Sequence, residues 1–421
     1  MPVNSPKPFS NKRRRALGVI GLSPLIALNG LSGLTVLAPW GMARAASKEW
    51  QQIVTQARGQ TVYFNAWGGA PTINAYIQWA SKQVQEQFGV TVKHVKIADA
   101  ADMVKRVRNE KSAGKTDGTV DLVWINGENF LTMKREGLLF GPFAEQLPSF
   151  AWVDTQGKPT TRIDFSEPVE GMEAPWGMAQ LTFMADSQRT AQPPRSSKEL
   201  LAFAAKFHGR VSYPRPPDFH GTTFLKQLLL DLNNGSERAT LYQSVTPQAF
   251  EKSTAVLWKT LDALHPSLWR EGKQFPHTAA VLRQMFSDGE LLLAMTFNPN
   301  EAANEIAARR LSPSTFSYQF TSGTVGNTHF LAIPFNSRAA QGAQVVANFL
   351  LSPAAQAKKA DIAVWGDPTV LAVDRLPLAQ RAAFSAPALP GQVRQPAPAL
   401  IEPHGSWVEP LEKEWTRRYG G

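Results

Sequence analysis

No cysteine occurs in the 421 residues. Disulfides, thiolate metal ligands and thiol nucleophiles are therefore excluded, and so is the lipid-bearing cysteine of a bacterial lipoprotein. Histidine is sparse. His94, His208, His220, His265, His277, His329 and His404 include no pair at H-x-H or H-x-x-x-H spacing, so no local metal-binding pair exists. A G-x-S-x-G nucleophile elbow is missing too. Gly114-Lys115-Thr116 imitates the end of a phosphate loop, but Asn109 stands where that loop needs its first glycine, so a surface turn is the better reading. Basic runs interleaved with aromatics are lacking, which leaves nucleic acid without support as a partner. No cofactor and no catalytic group is expected.

Acidic residues are absent from the first 45 positions, while Lys7, Lys12, Arg13, Arg14, Arg15 and Arg44 lie there. A mildly apolar stretch, Ala16 to Ala38, follows the basic cluster, and Ala43-Arg44-Ala45 supplies the small-x-small pattern of a signal-peptidase site. Pro24, Asn29 and four glycines dilute that stretch, which argues against a membrane-spanning anchor. Residues 1–45 thus read as an export signal. Arg13-Arg14-Arg15-Ala16-Leu17 resembles a twin-arginine signal but also suits the general secretory route. The whole chain has 44 basic and 34 acidic residues; with six basic ones in the leader, residues 46–421 carry a net charge of +4. The periplasm is the expected compartment.

What remains is long enough for about two domains, and 43% apolar residues with 12 tryptophans supply substantial cores. Apolar spacing predicts helices over Ser47–Arg58, Thr72–Phe88 and Ala100–Lys111, alternating with strands Thr61–Asn65, Val90–Val95 and Val120–Ile125. This β-α-β-α-β order implies parallel strands with right-handed crossovers. Ligands in such sheets sit at the carboxyl ends of strands. Those ends are Trp67-Gly68-Gly69 and Trp124-Ile125-Asn126-Gly127-Glu128, both opening helices whose free N–H groups face one edge. Further along, strands are expected at Ala179–Ala185, Gly209–Pro214, Glu290–Phe297 and Thr328–Pro334. Helices are expected at Ser197–Phe207, Phe224–Leu232, Pro247–Leu261, Thr278–Phe286, Glu301–Ala308 and Gln341–Leu351.

The candidate ligand-binding residues are Trp67, Gly68, Gly69, Trp124, Asn126, Glu128, Trp176, Tyr213, Thr222, Thr223 and Asn298. The three tryptophans stand at strand–loop junctions, where an indole either fills the core or offers a face to a ligand. Glu128 sits in the first turn of a helix; it either complements the dipole or pairs with a cation over the indoles. Thr222 and Thr223 follow Gly221 at an expected helix start, where one hydroxyl caps and the other is free to bind an oxygen ligand. Tyr213 precedes Pro214 at a strand end, within reach across a cleft. Asn298 flanks Pro299, where a turn alone also explains it.

Several landmarks in order resemble a type 2 solute-binding protein of ABC importers, the group with thiamine, polyamine and ferric-ion receptors. They are the aromatic-Gly-Gly loop, Val120-Asp121-Leu122-Val123-Trp124, Ala174-Pro175-Trp176-Gly177-Met178, Ser212-Tyr213-Pro214, Gly221-Thr222-Thr223, Asp288-Gly289-Glu290 and Leu331-Ala332-Ile333-Pro334. Trp124 to Phe130 and His404-Gly405-Ser406-Trp407 are most similar to the YnjB-like branch. The resemblance implies an α/β, two-lobed periplasmic-binding-protein-like fold of type 2, with mostly parallel sheets flanked by helices and hinge strands between lobes. The expected division is a leader at 1–45, first-lobe segments at 46–177 and 328–365, and second-lobe segments at 178–327 and 366–421. It also implies a small organic solute, cationic or ring-containing and thiamine- or polyamine-like, delivered to an inner-membrane ABC permease with a cytoplasmic ATPase. The protein is expected to be a monomer. A ferric-ion receptor would carry paired tyrosines, whereas Tyr213, Tyr242 and Tyr318 are well separated. A secreted lyase or hydrolase, or a solute-sensing subunit, is the competing use of such a fold.

Overall fold

The computed structural model describes residues 39–385 and 389–420, with side chains from Lys48 onward; residues 1–38 of the expected leader lie outside them. Ala45–Gly421 is one compact unit. Among the described residues, no helix is long and apolar enough to cross a membrane.

The described residues form eleven strands in chain order: β1 (Thr61–Trp67), β2 (Thr91–Ile97), β3 (Leu122–Ile125), β4 (Ile163–Asp164), β5 (Glu167–Pro168), β6 (Glu173–Gln180), β7 (Thr182–Asp186), β8 (Leu293–Thr296), β9 (Thr315–Tyr318), β10 (Thr324–Ala332) and β11 (Ala399–Ile401). β1 pairs in parallel with both β2 and β3, as the β-α-β-α-β pattern requires. The helix between β1 and β2, Pro71–Phe88, buries Ile73, Tyr76, Ile77, Ala80 and Val84 along one stripe. Pro71 suits its first turn, where no N–H partner is needed. Gly89 ends it at φ 69°, a left-handed conformation that a side chain would disfavour.

The first sheet runs β2-β1-β3-β10, and β6 lies on the other edge of β10. Side chains alternate between its faces, as strand geometry demands. Leu122 and Leu331 join one apolar cluster, with Phe64, Tyr76, Trp176 and Trp365. Val123, Ile125, Phe330 and Ala332 join another on the opposite face. A second sheet, β8-β7-β9, is wholly antiparallel. Its core combines Phe183, Met184 and Ala185 with helices Phe219–Leu232 and Pro247–Leu264, and also takes in Trp407, Leu411 and Trp415.

β6 and β10 join the two lobes as a long antiparallel pair, from Gly326 opposite Gln180 to Ala332 opposite Glu173. The register shifts between His329 and Phe330. Beyond Gln180 the pair continues into the second lobe, where Leu181 N donates to Val325 O at 2.7 Å and Gln180 N to Phe297 O at 3.1 Å.

Two local expectations change. Gly209–Pro214 is not a strand; Val211–Pro214 is buried irregular chain. The helix expected from Phe224 begins at Phe219, because Asp218 caps it by accepting from His220 N and Gly221 N. Val370, Leu371 and Leu376 pack against Val153 and Leu351 in a small apolar cluster of their own.

Candidate functional site

Two loops follow the parallel neighbours β1 and β3 and so leave the first sheet at one edge. After β1 the chain turns through Trp67, Gly68 and Gly69, and the Trp67 indole stays 37% exposed. Both glycines are there for close approach: a Cβ on Gly68 would lie 2.7 Å from Lys96 Cβ, and one on Gly69 would collide with the Trp67 ring. After β3 comes Gly127, at φ 64°, whose N–H donates to Asp164 Oδ2 at 2.6 Å. A Cβ on Gly127 would meet the Phe165 ring at 2.6 Å. Glu128 then opens helix Glu128–Arg135, with one oxygen 3.1 Å from Asn129 Nδ2. Among the described residues, Asn126 makes no side-chain hydrogen bond.

Phe165 and Ser166 form the two-residue turn between β4 and β5, both at positive φ (42° and 66°). Such a turn usually uses Asn or Gly, so here the surroundings must hold it. They do. Lys226 Nζ lies 4.1 Å over the Phe165 ring, Ser166 Oγ donates to Glu402 O at 2.9 Å, and Gly405 N donates to Phe165 O at 3.1 Å. Lys226 is buried and pairs with Glu402 at 2.7 Å. The other Glu402 oxygen accepts from Asn327 Nδ2 at 3.0 Å. Gly405 sits so close that a Cβ on it would lie 3.3 Å from the Glu128 backbone. The start of the Glu128 helix is therefore covered by the C-terminal segment rather than open.

In the second lobe, Thr222 Oγ1 donates to Glu412 Oε1 at 2.6 Å. Glu412 belongs to helix Val408–Tyr419. Burial raises its carboxyl, and the charges of Asp99 and Glu409 add to that, against the Thr222 hydrogen bond and Lys226. Glu128 is pushed up to about 7, first by burial and then by Glu412 and Asp99, with Lys226 opposing. The charges of Glu412 and Asp99 thus act on Glu128, and Lys226, the cation that opposes them, is paired with Glu402.

Beneath the β3 end, the indoles of Trp124, Trp176 and Trp365 pack together. Trp124 meets Trp176 edge-on at 5.3 Å, and Trp176 meets Trp365 at 5.6 Å. Trp176 is fully buried, whereas Trp124 is half-buried at the strand end.

The structure brings Trp67, Gly68, Gly69, Trp124, Asn126 and Glu128 to one edge of the first sheet. It places other candidates elsewhere. Tyr213 is core: its hydroxyl lies 2.7 Å from His265 Nε2 and accepts from Trp415 Nε1 at 2.8 Å. With no strand at 209–214 to project it, the ring packs on Phe224 instead. Trp176 is fully buried and offers no face. Thr223 spends its hydroxyl on Phe219 O at 2.8 Å, inside a helix that Asp218 already caps. Asn298 uses its amide on Trp365 O and its carbonyl on Asn300 N, both at 2.9 Å, so it ties loops together. Thr222 reaches the boundary only through Glu412. Glu412, Glu402, Lys226 and Phe165 were not singled out in the sequence; the His404–Trp407 motif beside them was the one local sign.

Residues 79–375 match the family described as bacterial extracellular solute-binding protein. Protein YnjB of Escherichia coli (strain K12) is 49% identical over 391 residues, spanning 92% of this chain and 98% of that protein. A periplasmic thiamin binding protein has a like fold, with a TM-score of 0.60 at 16% identity over 85% of this chain and 95% of that one. The spermidine/putrescine substrate-binding protein PotD of Streptococcus pneumoniae gives 0.54 at 15% identity, over 86% and 98%. The periplasmic binding protein AfuA of Actinobacillus pleuropneumoniae, with fructose-6-phosphate bound, gives 0.55 at 12% identity, over 86% and 99%. At these identities the likeness is one of fold, that of two-lobed periplasmic binding proteins.

Proposed function

The chain belongs to the bacterial extracellular solute-binding protein family, and on that premise we propose that it captures a small organic cation between its lobes for an ABC importer. It hands the solute to an inner-membrane permease driven by a cytoplasmic ATPase, and it works as a periplasmic monomer released after residue 45. What supports the choice of a cation is the half-buried Glu128 carboxyl, which burial first and then the charges of Glu412 and Asp99 push up, together with the Glu412 carboxyl that Thr222 holds. Two carboxylates at a low-dielectric boundary repel unless a proton or a positive ligand lies near. Exposed Trp67, at the end of the neighbouring strand β1, supplies an aromatic face of the kind that organic cations favour. Closure over the ligand is hinge motion about β6 and β10, with the closed form binding better.

Thiamine and spermidine are the first probes, since proteins of like fold are named for them; fructose 6-phosphate is the anionic counter-probe. Thermal shift and calorimetry should find a cation that stabilises the protein one-to-one, and Glu128→Gln should weaken it by roughly tenfold or more. Stabilisation by the anion and by neither cation would overturn the reading. Permease and ATPase genes beside this one are expected, and light scattering of the mature protein should give one chain.

A further inference from the structure

Under the Trp124 indole lies a buried ionic group that ligand capture by Glu128 and Glu412 does not use. His329 stands on β10 where its register with β6 shifts. Its Nε2 is 3.0 Å from Asp367 Oδ1, and the other Asp367 oxygen is paired with Lys359. Lys359 has no exposed side-chain surface, and Asp367 and His329 are buried as well. The chain makes room for them: a Cβ on Gly177 would fall 2.5 Å from His329 Cδ2 and 2.7 Å from Lys359 Nζ. Three rings enclose the group. The His329 ring meets Trp124 edge-on at 5.0 Å and stacks near-parallel on Trp365 at 6.2 Å. Lys359 Nζ lies 5.4 Å over Trp365 and 5.8 Å over Trp176.

A buried ion pair contributes little net stability, because desolvation offsets the attraction; its better-attested use is to fix one arrangement among several. Here the arrangement reaches both lobes. Trp365 O accepts from Asn298 Nδ2 at 2.9 Å and also from Asn304, and Gly366 O accepts from Asn300 Nδ2 at 2.6 Å. All three asparagines lie at the end of β8 or in helix Glu301–Ala307 of the second lobe. Met178 N of β6 donates to Pro368 O at 3.0 Å. Asp367 is therefore held between the two lobes, and it orients the ring that presses on Trp124.

We propose that Asp367 and His329 are positioning residues: by holding the imidazole against the indole, they fix Trp124 in one orientation at the cleft edge. A charged acceptor at His329 Nε2 leaves that ring one favoured pose, and an edge-on partner at 5.0 Å restricts the indole in turn. The consequence for affinity rests on the cation reading above; the orientation itself belongs to the free protein.

The test uses mature protein labelled with 5-fluorotryptophan, with the Trp124 fluorine line assigned by its loss in Trp124→Phe. In the parent this line is single. In His329→Leu, which removes the donor to Asp367, it shifts or splits, while the line of Trp258 in the second core stays put. His329→Gln, whose amide can still donate to Asp367, brings it back toward the parent position. Should His329→Leu fail to fold, Lys359→Met with Asp367→Leu removes both buried charges together and is expected to move the same line. An unmoved Trp124 line in the folded leucine or double variant overturns the proposal, and so does a glutamine variant no closer to the parent than the leucine one. Thiamine affinity is expected to fall roughly tenfold in His329→Leu. If fructose 6-phosphate binds the parent and neither thiamine nor spermidine does, the cation reading falls, and the fluorine spectrum still decides the positioning.

Discussion

Thr222 Oγ1 and Glu412 Oε1 meet at 2.6 Å across 190 residues of sequence. The bond fixes a carboxylate of the C-terminal helix beside the first turns of helix Phe219–Leu232, near Glu128 of the other lobe. Glu412→Gln keeps the hydrogen bond and removes the charge. It should lower affinity for a cationic solute by about tenfold, as expected for a charged contact of 1.5–3 kcal/mol partly screened by water. Melting should change little. Calorimetry and a melting curve on the same sample separate the two effects, and unchanged affinity would remove Glu412 from the site.

Glu128 is one of several carboxyls raised by burial, with Asp164, Glu173 and Glu412, that together shape the pH behaviour of the free protein. Its carboxyl holds a proton up to about 7 when folded, against an ordinary value of 4.5. The unfolded chain therefore releases that proton first, so folding stability falls as pH rises from about 4.5 to 7. The full shift corresponds to about 3 kcal/mol, which the group's partial exposure reduces to about 1–2 kcal/mol. Urea unfolding at pH 5 and pH 8 should show this loss in the parent and not in Glu128→Gln. A bound cation reverses the preference, so binding at pH 6 should release a proton, seen as a heat that varies with the buffer's ionisation enthalpy.

Tyr213→Phe tests the reassignment of that residue to the core. The lost hydroxyl leaves Trp415 Nε1 without its acceptor and His265 Nε2 without its partner. About 1–3 kcal/mol of stability should be lost, with ligand affinity unchanged. A weaker ligand at normal stability would return Tyr213 to the cleft.

Lys226 and Glu402 form a buried pair at the lobe boundary. Lys226→Met leaves a buried carboxylate beside the Phe165 turn and should cost about 3–5 kcal/mol, whereas Lys226→Met with Glu402→Leu should recover most of it. Denaturant midpoints of the two variants check this. Equal destabilisation would mean that the pair holds the strained turn through its hydrogen bonds rather than its charge.

Trp67 and Trp176 should behave oppositely. Trp67→Ala removes a half-exposed indole, so melting stays near the parent while cation affinity drops by about 2 kcal/mol, roughly thirtyfold. Trp176→Ala empties a fully buried site and costs about 3–5 kcal/mol of folding stability.

The first half of the fold was legible because its signals are local. The helix Pro71–Phe88 carries its apolar stripe, its proline and its terminal glycine within one stretch of sequence, and β1, β2 and β3 flank it and the next helix in order. Ser196 and Thr246 cap their helices with side-chain oxygens that accept from Glu199 N and Ala249 N, another signal carried within a few residues. The candidate site was half legible for the same reason. Trp67 and Glu128 sit at strand ends, and strand ends in a parallel sheet share an edge whatever the rest of the chain does. Short elements were missed. β9 and β11 have four and three residues, too few to show a period, and the Asp218 cap moved Thr222 from a helix start into its first turns.

By itself the sequence determined the absence of thiol chemistry, the export signal as an expectation, the parallel β-α-β-α-β beginning and the order of motifs that points to a solute-binding protein. Each of these is a matter of composition or of neighbours within a few residues. Only the tertiary structure decided which charges face each other. Glu412 meets Thr222, Glu402 meets Lys226 and Asp367 meets His329 because β6, β10 and the C-terminal segment carry the chain between the lobes. Those partners depend on how the two cores close around one another. A carboxylate shows in a sequence; the dielectric around it and the charge opposite it belong to the packed molecule.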